Sequence, residues 1–104
     1  MKLRLMPDYD CHPLWETLPD GVRNVAPEEL PLSPELRRAL SAWAERYNAT
    51  LNRDDPLASG FKTIDDEHDF EEAGLRLWER LRLEMGERAE VTYFSQERHR
   101  TITP

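Results

Sequence analysis

Ser33 to Leu51, SPELRRALSAWAERYNATL, constrains the fold more than any other stretch, because it carries a complete helix signature. Ser33 is placed to act as N-cap, its hydroxyl accepting from an otherwise unpaired amide of the first turn. Pro34 follows at the first helical position, where the missing donor does no harm and the fixed φ suits a helix. Glu35 sets negative charge near the positive end of the helix dipole. Leu36, Leu40, Trp43, Tyr47 and Leu51 recur at helical spacing in one stripe, which Ala39 and Ala44 widen. Arg38, Ala42, Glu45 and Ala49 lie on the opposite face, and Asn52, Asp54, Asp55 and Pro56 end the element.

A second helix is predicted over Thr63 to Met85. Thr63 and Asp66 have the spacing of a capping box. Asp65, Asp66, Glu67 and Asp69 crowd the first turns, where the dipole favours them. Phe70, Ala73, Gly74, Leu77, Trp78, Leu81 and Met85 form a broad apolar stripe, with Leu75 and Leu83 off it. Glu72 and Arg76, four apart on the outside, can pair, and Gly86 suits the position just past the end. Between the helices, Arg53 to Lys62 reads as a loop broken by Pro56 and Gly60, with Leu57 and Phe61 tucked back onto the core.

Strand signals flank the helices. Lys2 to Met6 alternates, with Leu3 and Leu5 on one face and Lys2 and Arg4 on the other. Leu14 to Thr17 and Val22 to Val25, joined at the turn signal Pro19-Asp20-Gly21, read as a short hairpin. Ala26 to Pro31 is a linker with one helical turn at Pro27 to Leu30. Glu90 to Phe94 is rich in β-branched and aromatic residues and reads as the last strand. Gln96 to Pro104 is polar and aperiodic, either an edge extension or a frayed tail. The expected architecture is a single α+β domain over 1–95 with a polar C-terminal tail at 96–104. Two antiparallel helices pack on one face of a small sheet, in the order strand, hairpin, helix, helix, strand.

Composition narrows the function classes. The chain has 104 residues, 34% of them charged, and a net charge of −7. Twelve of its fourteen basic residues are arginine. The acidic balance argues against nucleic-acid binding, which needs a basic face to displace counterions, and against an anionic membrane surface. It suits a basic protein partner. Cys11 is the only cysteine, so no internal disulfide or cysteine-rich zinc site is available and a reducing cytoplasm fits. There is no long apolar run for a membrane span and no secretory signal pattern.

Two constellations stand out. Asp8-Tyr9-Asp10-Cys11-His12, followed by Trp15, gathers a thiol, an imidazole, two carboxylates and two aromatics. A Cys–His nucleophile pair needs the imidazole within hydrogen-bond reach of the sulfur, and adjacent residues in extended chain point apart. No metal-ligand spacing is matched either. The stretch therefore reads first as a turn in which the aspartates bond backbone amides, Cys11 is buried and Trp15 packs on the core. Second, it reads as a ligand-binding or small enzymatic site centred on Tyr9, Cys11, His12 and Trp15. The other constellation is Asp65-Asp66-Glu67-His68-Asp69. It lacks the calcium-loop glycine and closing glutamate, and reads as a solvated, dipole-favoured helix start or as an acidic docking surface centred on Asp65, Asp66 and Glu67. P-loop, dinucleotide, HExxH and GxSxG patterns are absent. No catalytic residue, metal or cofactor is assigned.

LRLMPDYDCHPLW at the N-terminus, Pro31 to Leu36 as a Pro-Leu-Ser-Pro-Glu-Leu helix start, and Ala42-Trp43-Ala44 together resemble a group of small uncharacterised actinobacterial proteins. The resemblance spans most of the chain and implies a bacterial cytoplasmic setting. It brings no activity and no functional residue. The overall expectation is a non-catalytic protein-binding module, for example an immunity- or antitoxin-like protein that neutralises a basic partner. A homodimer through Ala42 and Ala49, or by edge pairing of the last strand, is a further partner expectation.

Overall fold

The computed structural model describes residues 1–104 as an α+β fold with two long helices against one five-stranded mixed sheet. In chain order the elements are β1 (Lys2–Leu5), β2 (Leu14–Leu18), β3 (Gly21–Val25), α1 (Pro34–Asn48), α2 (Ile64–Met85), β4 (Glu90–Ser95) and β5 (Arg100–Ile102). Single 3-10 turns at Pro27–Glu29, Pro56–Ala58 and Gly86–Arg88 punctuate the connections. The sheet order is β3-β2-β1-β4-β5. β1 and β4 pair in parallel, and every other neighbouring pair is antiparallel.

Alternation along the strands decides which residues reach the core. Leu3 and Leu5 of β1, Leu14 of β2, Val25 of β3 and Val91 and Tyr93 of β4 all point to the helical layer and are buried. They meet Leu36, Leu40 and Trp43 of α1 and Phe70, Trp78, Leu81 and Met85 of α2 in one cluster. Both indoles are satisfied inside it: Trp43 Nε1 donates to the Phe70 carbonyl at 3.0 Å and Trp78 Nε1 to that of Val91 at 2.9 Å.

Both helices begin where their caps place them. The Ser33 hydroxyl accepts from the Leu36 amide at 3.2 Å, and that of Thr63 from the Asp66 amide at 3.0 Å. Ser33 also ties the helices together. Its amide and hydroxyl donate to the two carboxylate oxygens of Glu84, at 2.6 and 2.8 Å, and Arg80 donates to the same carboxylate at 2.6 Å. The start of α1 thus sits at the end of α2. Trp43 stacks on Phe70 near the other ends, at 4.4 Å between ring centroids, so the helices run antiparallel.

Several expectations need correction. Leu57 does not tuck in: it is 98% exposed, while Phe61 alone packs back, 4.9 Å from the Phe70 ring. Glu72 does not pair with Arg76. It lies 3.6 Å from His68, one turn earlier, whose other ring nitrogen approaches Glu97 at 3.4 Å. Residues 96–104 supply β5, taking the edge-extension alternative. Glu90–Ser95 therefore lies between β1 and β5, and β5 covers the edge of its second half, Tyr93–Ser95.

Candidate partner-binding surfaces

The Tyr9–Trp15 segment joins β1 to β2 and is anchored to the end of α1. Asp10 takes a left-handed conformation, φ 58°, which aspartate tolerates better than most residues. Its amide donates to Asn48 Oδ1 at 3.0 Å, and its carboxylate pairs with Arg53 at 3.1 Å. The Tyr9 ring stacks on Tyr47 at 4.6 Å, and its hydroxyl shares a 3.1 Å hydrogen bond with Thr50 Oγ1. Tyr47 in turn touches Phe61 and Phe70, so an aromatic series runs from this loop into the core. Burial, then the neighbouring Tyr9 and the Asp8 carboxylate, push the Tyr47 phenol up to about 12.

The same segment sends its other members elsewhere. The His12 backbone is clasped by the side chain of Asn24 on β3: the His12 amide donates to Oδ1 at 2.9 Å and Nδ2 donates to the His12 carbonyl at 2.7 Å. Trp15 follows inward-facing Leu14 and so lies on the sheet face away from the helices, opposite Arg4 and Asn24. Its indole donates to the Met6 carbonyl at 3.1 Å. The reading in which Trp15 packs on the core is thus corrected by strand alternation. Tyr9 and Trp15 stand on opposite sides of the sheet and do not line one pocket. Cys11 is half-buried, and burial followed by the Asp8 and Asp10 charges raises its pKa above the usual thiol value. It remains a neutral thiol at pH 7, the weaker nucleophile.

Asp65, Asp66 and Glu67 occupy the first turn of α2, the two aspartates exposed and Glu67 half-buried. Asp66 and Asp69 form one wall of an open cavity of about 780 Å³. Arg46, Arg53 and Lys62 contribute to its other walls, and Phe61 is among its apolar lining. Thr50 and Arg53, which hold the Tyr9–Asp10 loop, also line it. The structure therefore brings Tyr9 and the acidic helix start to the same end of the molecule. It places His12 toward β3 and Trp15 on the outer sheet face. Nearby, Asn52 Oδ1 caps the Asp54 and Asp55 amides at 3.1 and 3.0 Å and holds those carboxylates in solvent. No group of three or more His, Cys, Asp or Glu side chains is placed to hold a metal ion, and no helix is long and apolar enough to cross a membrane.

Glu71 escaped the sequence reading. It is 4% exposed, and its carboxylate accepts hydroxyl hydrogen bonds from Tyr93, at 2.7 Å, and from Ser95. Burial, and then Glu71, raise the Tyr93 phenol beyond its ordinary range. The signal was present: Glu71, Gly74, Trp78, Leu81 and Met85 follow one another at spacings of three and four, so a glutamate stands within the buried stripe.

The elements that build both surfaces, β1 through β4, lie inside a match to a single protein family, described as Serratia CdiI immunity protein-like, over residues 1–96. The chain belongs to that family. This CdiI immunity protein-like chain is accordingly an immunity-type protein-binding module. The match ends before β5, so the outermost strand lies outside it. No curated protein matches the chain.

Proposed function

We propose that this immunity protein-like chain binds and neutralises a toxin protein, that the toxin's docking surface is basic, and that it engages the acidic end where α2 begins. The observation that carries this reading is a set of carboxylates with no internal use for their charge. Asp54, Asp55, Asp65, Asp66, Glu67 and Asp69 cluster at or beside the first turns of α2, and none forms an ion pair within the chain. Elsewhere some acids are matched, as Glu16 and Glu29 are by Arg23 and Glu84 by Arg80. These six carboxylates outnumber Arg46, Arg53 and Lys62 of the adjoining cavity, and an excess of one sign speeds encounter with the opposite sign and rejects like-charged partners. The net charge of −7 extends the same field over the molecule. A bacterial cytoplasm fits the single half-buried thiol.

The test is capture of the partner from native lysate by the tagged full-length chain, followed by titration of the captured protein. Asp65→Lys, Asp66→Lys and Glu67→Lys together are expected to weaken binding by about tenfold or more, mainly through slower association. The neutral set Asp65→Asn, Asp66→Asn and Glu67→Gln should fall between that variant and wild type. Circular dichroism checks that both sets remain folded. A captured toxin whose affinity is the same for all three proteins would show that it docks elsewhere.

A further inference from the structure

The outer surface of the helical layer carries a groove of about 470 Å³ between α1 and α2. Leu36, Ala39, Ala42, Trp43, Ala73 and Leu77 supply its apolar lining. Glu35 and Arg46 stand at opposite ends of α1 along it. On the far flank of the same helix face, Arg38 and Glu45 are exposed. Within the chain, none of these four charges has an ion-pair partner.

Their order along α1 is acidic, basic, acidic, basic. Reversing the helix turns each into its opposite. When two copies of α1 lie antiparallel about a two-fold axis between Leu40 and Ala42, Glu35 of one comes against Arg46 of the other on one flank. Arg38 comes against Glu45 on the other flank. A two-fold keeps each flank facing its own equivalent, so both pairings form twice in the same arrangement. Ala39 and Ala42 then meet at the centre, where small side chains let the helices approach. Arg76 alone among the rim charges gains no acid, two unmatched charges per dimer against four new pairs; Arg80 keeps its intrachain partner Glu84.

We infer that the α1–α2 face is a self-complementary interface and that its occupant is a second copy of this chain, docked helix layer to helix layer. A standard interface covers about 800 Å² per partner, roughly an eighth of the 6578 Å² that this chain exposes. The helical layer is one whole side of the molecule and offers that area. Repulsion between two copies of charge −7 opposes the dimer at low salt. At physiological ionic strength, where the Debye length is about 8 Å, this long-range cost is screened more than the direct contacts are. Asp65, Asp66 and Glu67 lie outside the lining of this groove, and Arg46 borders both it and the cavity at the start of α2.

Sedimentation velocity of the full-length chain over a concentration series, at physiological salt, tests the inference. Wild type is expected to pass reversibly from monomer to dimer. Glu35→Arg alone and Arg46→Glu alone should each weaken the dimer by about tenfold or more, and the double swap should restore it. Ala42→Glu, at an exposed position that leaves the core untouched, should give monomer. A wild type that stays monomeric throughout the series overturns the inference. So does a dimer indifferent to the single swaps, or one that the double swap fails to restore. If the wild type is monomeric and the same swaps weaken toxin capture instead, the groove seats that partner and not a second copy.

Discussion

Gly74 has no room for a side chain. A Cβ there would lie 2.5 Å from the Tyr93 hydroxyl oxygen and 2.7 Å from a ring carbon of Trp43. Two opposing terms decide what Gly74→Ala does. Helix propensity favours alanine by about 1 kcal/mol, while overpacking against a well-filled core costs about 1–3 kcal/mol. Both contacted atoms belong to buried aromatic side chains, so relief would need rings to move that already stack on Phe70 and Trp78. The overpacking term should prevail, and urea unfolding of Gly74→Ala is expected to show a lowered midpoint with an unchanged slope. An equal or higher midpoint would mean that the rings shift freely. Tyr93 matters twice at this scale, since it closes over Gly74 and also donates to buried Glu71.

Among the elements, α1 and α2 depend on each other through Ser33. Burial pushes the Glu84 carboxyl up, but the Ser33 amide and hydroxyl and the Arg80 guanidinium outweigh it, and the carboxyl ends below its usual range. A carboxyl whose folded pKa is depressed contributes stability above its unfolded value, near 4.5, and loses it as pH falls through the folded value. Ser33→Ala removes the cap and one of the contacts to Glu84, and is expected to cost about 1–2 kcal/mol at neutral pH. The deficit should shrink as pH falls from about 4.5 through the lower folded value of Glu84, because wild type then loses its own carboxylate contact. Chemical denaturation across that range measures it, and a deficit that is flat with pH would assign the whole effect to the cap.

For the whole molecule, charge is distributed by face. The α2 start gathers unpaired acids, whereas the outer face of α1 alternates sign. The two surfaces should answer salt differently. Raising ionic strength from physiological to about 1 M shortens the Debye length from about 8 to about 3 Å. Toxin capture at the acidic end is expected to weaken steadily over that range, mostly in the association rate, which surface binding kinetics would read. Capture that does not change with salt would count against the acidic end as the docking surface.

The sequence by itself determined both long helices and their starts, the four longer strands, and the faces of the helices that turn inward. Those features are written in spacings of one to four residues: Ser33-Pro34, Thr63-x-x-Asp66, the Leu36–Leu40–Trp43–Tyr47 stripe and the alternation at Leu3 and Leu5. Trp15 is legible in the same way, since its neighbour Leu14 faces the core and alternation turns Trp15 outward. Tertiary structure alone decided the parallel pairing of β1 with β4. It also recruited Arg100–Ile102 as a fifth strand, from a stretch with no period of its own, because an edge strand gains its backbone hydrogen bonds from a neighbour. It buried Glu71, whose desolvation is tolerable only where the Tyr93 and Ser95 hydroxyls converge on it. And it set Tyr9 beside the acidic end while sending Trp15 to the opposite side of the sheet. Local periodicity fixes which way a residue faces within its element, but not what stands opposite; only packing among distant segments supplies that.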